Sequence, residues 1–191
     1  MKTSDRIIKR IFDISLSFFG LVTLGLFIIS LAVLSYLDTK QSGIFKQKRV
    51  GHFGNKFYIY KLRTMKHLPN NNKITTAFGH FLRTMKWDEL PQLWNVLKGD
   101  MSFVGPRPDI EGFADTLEGG DRIILSIKPG ITGPASLYFK NEEVLLEQQP
   151  KPDEYNRKVI WPQKVRLNKA YIEQYSFSKD LKIIFKTIFN T

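Results

Sequence analysis

The sequence predicts a helix-dominated α+β protein. A re-entrant membrane helix-hairpin is expected at the N terminus, followed by a small cytoplasmic domain with short strands and amphipathic interfacial helices. Three observations predict this. Residues 14–37 form an apolar run without a single charge. Residues 56–63 (KFYIYKLR) are aromatic and β-branched, as in a strand. Beyond them, apolar residues recur at helical spacing between Pro/Gly-rich loops. The expected division is residues 1–40 as anchor and residues 41–191 as cytoplasmic domain.

The apolar run exceeds the roughly 18 residues that mark membrane insertion. It is too long for a signal-peptide core, and no A-x-A-like site follows it. A soluble core helix of this kind would need burial on every side. Both flanks are basic, with Lys2, Arg6, Lys9 and Arg10 before the run and Lys40, Lys46, Lys48 and Arg49 after it. Positive flanks favour the cytoplasmic side. A straight span would violate that at one end, and a hairpin satisfies both. Gly25 is the expected break. Two arms of about 12 residues, about 18 Å each, would then reach halfway through a core of about 30 Å. Thr23 and Ser30 are the candidates to satisfy the freed backbone groups. A single span with a cytoplasmic domain is the alternative.

A chain of 191 residues, 42% hydrophobic, suffices for one domain with a real core. It has no cysteine, which excludes disulfides and zinc–thiolate sites. A formal charge of +11 points to polyanionic partners.

After the anchor, residues 43–65 read as extended, with the strand at 56–63. Ile59, Lys61 and Arg63 would share one face of it. Two cations side by side repel unless an anion lies between them; an edge strand defended by charge is the plainer reading. Residues 68–73 (LPNNNK) read as a polar turn. LRTMK occurs at 62–66 and at 82–86, which is read as coincidence and not as a repeat. Residues 76–85 look helical. A second helix is expected over 89–98, starting close to Asp88, with Pro91 in its first turn and Gly99 as its stop. Residues 99–108 (GDMSFVGPRP) form a rigid loop holding Arg107 between prolines, and residues 128–134 (KPGITGP) form a second such loop. Glycines let loops of this kind approach ligands closely. Residues 141–162 are polar and irregular, with some helix. In 175–189, Phe177, Leu181, Ile184, Phe185 and Ile188 share one face while Lys179, Lys182 and Lys186 sit on another. Such a helix lies on anionic lipid or packs on the core.

Asp88 and Glu89 are the candidate chemical centre. Adjacent carboxylates at a helix start commonly just stabilise its dipole. Phosphate binding is also favoured there, and a divalent ion with phosphate ligands takes one or two carboxylates. Lys61, Arg63 and Arg107 are available to neutralise a diphosphate. A carboxylate can attack phosphorus directly and hold a covalent intermediate. Other chemistries find no support. His52, His67 and His80 have no metal-ligand spacing, and GxxxxGK[ST] and GxSxG are absent. No nucleic-acid-binding signature appears.

The chain resembles the bacterial sugar transferases, specifically the small monotopic phosphoglycosyl transferases. The resemblance runs from Lys9 to about Asn190. It covers KRIFD (9–13), IFKQKRVG (44–51), FYIYKLRTM (57–65), DELPQLWNVLKGDMSFVGPRP (88–108), KPGITGP (128–134) and SFSKDLKIIFKTI (176–188). The resemblance implies a UDP-sugar donor, undecaprenyl phosphate as acceptor and Mg²⁺. It implies that Asp88 attacks the β-phosphate, expels UMP and carries the phosphosugar to the lipid. Glu89 would support the metal or proton transfer, so both carboxylates are the implied metal ligands. Lys61 and Arg107 would contact phosphate, Asp180 would lie near the site and is counted with the phosphate-binding residues, and Lys128, Gly130 and Thr132 would belong to a nucleotide-proximal loop. The implied setting is the cytoplasmic face of a bacterial inner membrane, at the first membrane step of polysaccharide synthesis, with downstream glycosyltransferases as successors. Three positions depart from the family pattern. Gly25-Leu26 replaces the usual Ser-Pro breaker, Lys86 stands where a capping Ser or Thr is usual, and Pro134 replaces a frequent Trp. The competing functions are a phosphodiesterase using the same carboxylates and a scaffold binding anionic lipid.

Overall fold

A computed structural model describes residues 1–68 and 72–189. The fold is helix-dominated α+β, with a long apolar N-terminal helix and, among the described residues, three two-stranded sheets. The polar turn expected over residues 68–73 falls partly outside the described residues.

Helix α1 spans Thr3–Thr39. It passes Gly25 unbroken, so the two-armed hairpin expected there is not formed by the backbone. The reason is physical. Glycine costs a helix only about 1 kcal/mol and keeps its N–H, whereas proline removes a hydrogen bond and clashes with the preceding turn. With no bond freed at Gly25, Thr23 and Ser30 donate instead to the carbonyls of Phe19 and Leu26 one turn back (2.8 and 2.9 Å).

The orientation of α1 is inside out. Its buried residues are Lys9, Asp13, Ser17, Ile28, Leu31, Ser35 and Thr39, a mostly polar stripe at helical spacing. The opposite face exposes Ile11, Phe19, Val22, Leu26, Ile29 and Val33, each more than half accessible. Only 17% of the most apolar window is buried. A soluble core helix would show the reverse.

The rest of the chain packs along that polar stripe from end to end. Near the N terminus, the Arg10 guanidinium donates to the carbonyls of Val96 and Leu97 (2.7 and 2.9 Å). Near the C terminus, Leu31 packs with Leu62 and Leu82. Strands β1 (Ile44–Val50) and β2 (Lys56–Leu62) form an antiparallel hairpin, and β3 (Met65–His67) pairs antiparallel with β4 (Lys73–Thr75). Helix α2 (Ala77–Thr84) has the expected start, since the Thr76 hydroxyl accepts from Gly79 N at 2.9 Å. Helix α3 covers Gln92–Lys98, and Gly99 ends it in the left-handed conformation, φ 98°. Strands β5 (Ser102–Val104) and β6 (Gly130–Thr132) pair in parallel. Short helices α4 (Pro134–Tyr138), α5 (Glu142–Glu147) and α6 (Pro152–Tyr155) lead to α7 (Trp161–Glu173) and α8 (Phe177–Phe189). The largest core cluster, including Val50, Val104, Ile124, Val165 and Ile172, lies where β1, β5 and α7 meet.

Candidate active site

Asp88 and Glu89 do not sit on the first turn of a regular α-helix. They occupy a 3-10 turn, Trp87–Glu89, and α3 begins at Gln92. Two residues explain the difference. Lys86 adopts a left-handed conformation, φ 58°, which reverses the chain after α2. Pro91 has no N–H, and the bonds at this point run i to i+3, from Leu90 N to Trp87 O and from Trp94 N to Pro91 O (3.2 and 3.1 Å).

The turn gives the two carboxylates different surroundings. Glu89 Oε1 accepts from Lys61 Nζ at 2.6 Å and from Arg107 at 2.9 Å. Burial pushes the Glu89 carboxyl up, but Arg107 and Lys61 outweigh it and hold it at about 2. Both bonds fall on Oε1. Asp88 is 7% exposed and makes no hydrogen bond or ion pair with the described residues. Burial raises its carboxyl above the ordinary range, and the neighbouring Glu89 charge adds to this; Lys61, Arg83 and Lys86 oppose it. The result is one pinned carboxylate beside one unengaged carboxylate. Asp88 and Glu89 Oε2 therefore remain as donors, a set that fits a divalent ion completed by substrate phosphate.

The Arg107 loop is held by the second glycine-rich loop. Ser102 N donates to Pro129 O, Gly105 N to Thr132 O, and Gly130 N to Pro106 O, each at 2.9 Å. A Cβ on Gly130 would lie 2.1 Å from Gly105 N, so only glycine permits this approach. Of the predicted loop residues, the Thr132 hydroxyl meets that of Thr187 on α8 at 2.7 Å. Burial, and then the charge of Arg10, lower the Lys128 ammonium pKa, and the charges of Asp13 and Asp100 oppose this.

Two predicted phosphate ligands are held elsewhere. Arg63 lies one residue past β2 and donates to Ser42 O at 2.7 Å and Gln41 Oε1 at 3.0 Å. Asp180 is 1% exposed and accepts from Lys9, Tyr171 and Tyr175; no bond joins it to Glu89.

The structure adds residues that the sequence reading passed over. Arg83, in the second LRTMK copy, places its charge on Asp88. Arg49 donates to Pro108 O at 3.2 Å and so braces the loop carrying Arg107. Asp109, directly after the PRP triplet, is pushed up to about 6 by burial, against Lys164, Arg49 and Arg107. Lys164 is paired with Glu142 at 2.6 Å. Proximity to the PRP motif was the available signal for Asp109; Lys164 and Glu142 had none.

Glu89 and Asp109 act on stability in opposite senses. Glu89 is depressed from 4.5 to about 2. Its contribution is full above about pH 4.5 and lost as pH falls toward 2. Asp109 is raised from 3.8 to about 6, so its contribution declines as pH rises through that window. Glu89→Gln is expected to flatten the acid limb of the melting temperature between about pH 4.5 and 2. An acid limb unchanged by that substitution would show that the Lys61–Glu89–Arg107 hub contributes nothing to folding.

A family model described as "Bacterial sugar transferase" matches residues 4–191. The chain is 33% identical over 190 residues to "Uncharacterized sugar transferase EpsL" of Bacillus subtilis, covering 95% of this chain and 86% of that protein. It is 33% identical over 199 residues to the "UDP-glucose:undecaprenyl-phosphate glucose-1-phosphate transferase" of Escherichia coli, covering 97% of this chain and 40% of that protein. It is 32% identical over 216 residues to the "Undecaprenyl-phosphate galactose phosphotransferase" of Salmonella typhimurium, again covering 97% of this chain and 40% of that protein. The chain thus spans most of the first relative and less than half of the other two.

Proposed function

The chain belongs to the bacterial sugar transferase family, and on that premise we propose that it moves a sugar-1-phosphate from a UDP-sugar to undecaprenyl phosphate, releasing UMP. The observation that carries this reading is the asymmetry of the acidic pair. A nucleophile must be unengaged, and Asp88 is. A positioning carboxylate must be fixed, and Glu89 is, by Lys61 and Arg107.

The reaction proceeds in two displacements. An Asp88 carboxylate oxygen bonds to the β-phosphorus of the UDP-sugar. The bond from that phosphorus to the bridging oxygen breaks, and UMP leaves with the electron pair. The phosphosugar then sits on Asp88 as an acyl phosphate. A phosphate oxygen of undecaprenyl phosphate next attacks the same phosphorus, and the Asp88 carboxylate departs. Two anionic substrates would repel if bound together, and taking turns avoids this. Lys61 and Arg107, already held at one Glu89 oxygen, supply positive charge on the phosphate side. Asp88 and Glu89 would hold Mg²⁺, which supplies charge neutralisation at the diphosphate.

The setting we propose is monotopic, on the cytoplasmic face of the inner membrane. The domain packs on α1 from Lys9 to Thr39. At about 1.5 Å per residue, α1 is about 55 Å long, against a hydrocarbon core of about 30 Å. A crossing would drag polar elements into that core. Lying along the interface, α1 turns its apolar face to lipid and keeps both basic flanks on one side. No hairpin break is then needed.

The test is UMP release against a panel of UDP-sugars, with and without undecaprenyl phosphate. One donor is expected to give steady release with the lipid and a burst of at most one UMP per chain without it. Release that strictly requires both substrates together would overturn the two-step route, and no release with any donor would overturn the function.

A further inference from the structure

Helices α4, α7 and α8 enclose an open groove of about 580 Å³. That volume falls within the range of roughly 300–1,000 Å³ typical of ligand sites. Leu137 and Ile183 belong to its floor, and Lys140, Lys179, Lys182 and Lys186 stand around it. Among the described residues, no carboxylate lines it. None of its residues belongs to the Asp88–Glu89 hub.

Helix α8 separates this groove from a second surface. Lys179, Lys182 and Lys186 recur at helical spacing along the groove side. Leu181, Phe185, Ile188 and Phe189 occupy the adjoining outer side, 45–66% exposed. Lys182 and Lys186 have no ion pair with the described residues. Like charges one turn apart on a helix repel, unless an anion lies between them. An apolar floor beside the Lys182 and Lys186 ammonium groups is complementary to an anionic amphiphile. The exposed apolar side of the same helix places the bilayer as its source.

We propose that this groove holds one anionic bilayer phospholipid, with its phosphate on Lys182 and Lys186 and an acyl chain over Leu137 and Ile183. The inference rests on the membrane seating proposed above and not on the transfer reaction. Lysine ammonium groups contact lipid phosphate as point charges and do not select a headgroup shape. The lipid would orient α8 and, through the Thr132–Thr187 contact, the loop beside Arg107.

The test is native mass spectrometry of the full chain in mild detergent, with phosphatidylglycerol or phosphatidylcholine of matched chains added. One phosphatidylglycerol per chain is expected to be retained, and phosphatidylcholine is not. Lys182→Glu with Lys186→Glu should lower retention roughly tenfold or more. Leu137→Trp fills the floor while leaving every charge in place. It should also abolish retention, yet still sediment with phosphatidylglycerol vesicles. Equal retention of the two lipids, or retention indifferent to Leu137→Trp, overturns the proposal. So does a chain dimer that these variants dissolve, which would make a second copy the occupant. Retention is read without turnover, so a failed transferase assay leaves this result standing, and a failed retention assay leaves the reaction standing.

Discussion

Asp88→Asn is expected to lower UMP release by about three orders of magnitude or more, and to do so without lowering the melting temperature. Asparagine keeps the shape of the side chain but cannot form an acyl phosphate. The stability expectation follows from the surroundings. Asp88 is buried, makes no bond with the described residues, and has its carboxyl raised by burial and by Glu89. A raised carboxyl pKa means that the ionised form weakens the fold at neutral pH. Replacing it with a neutral group removes that penalty, so the inactive variant should melt at the same temperature or higher. Such a gain on loss of activity is the usual trade at a strained site. Intact-mass measurement after incubation with donor should show a phosphosugar adduct on the parent chain and none on the variant. An adduct on Asp88→Asn, or full UMP release by it, would move the nucleophile to another residue. Glu89→Gln gives the contrast. It loses the anion holding Lys61 and Arg107, so activity and stability should fall together.

The fold was legible where the pattern is local. The helical spacing and lysine row of α8, the Thr76 cap of α2 and the Gly99 stop of α3 each depend on residues within two turns. The apolar run was legible as an apolar element, because composition alone carries that signal; its continuity through Gly25 was not, since a break into two arms was expected there. Which side of it meets the domain was not, since the buried stripe is mostly polar and its partners lie far away in sequence. Arg10 reaches Val96 and Leu97, and Lys9 reaches Asp180. The candidate site divides in the same way. Lys61 and Arg107 were legible as cations on rigid elements near Asp88 and Glu89. Arg63 and Arg83 occupy equivalent places in two identical pentapeptides, and sequence could not distinguish them. Tertiary packing ties Arg63 to the turn after α1 and ties Arg83 to Thr64, from where its charge acts on Asp88. Lys86 stands out as a departure at this helix start, but the 3-10 turn itself was not legible, because its positive φ falls on a lysine and not on glycine or asparagine.

Asp180→Asn should destabilise the chain by about 3–5 kcal/mol, the cost of breaking a buried pair by removing one partner. Lys9 Nζ meets Asp180 Oδ2 at 2.5 Å, and both side chains are less than 10% exposed. The Tyr171 hydroxyl donates to Oδ1 at 2.5 Å and the Tyr175 hydroxyl to Oδ2 at 3.1 Å. Burial, reinforced by the Asp180 charge, holds both tyrosine hydroxyls above their ordinary range, so they remain protonated donors. Lys9, Tyr171 and Tyr175 converge on this carboxylate and join the start of α1 to the C-terminal end of α7 and to α8. An amide leaves the Lys9 cation enclosed without a counter-charge. For a chain of this size, 1 kcal/mol corresponds to roughly 2–4 °C, so a fall of about 10 °C is expected. Lys9→Met combined with Asp180→Leu should recover part of it, because an apolar pair of similar volume removes both desolvation costs. The same experiment separates this structural role from the phosphate-binding role that the family resemblance implies for Asp180. Below its melting temperature, Asp180→Asn should keep the KM for the UDP-sugar. An unchanged melting temperature with a raised KM would return Asp180 to the substrate site.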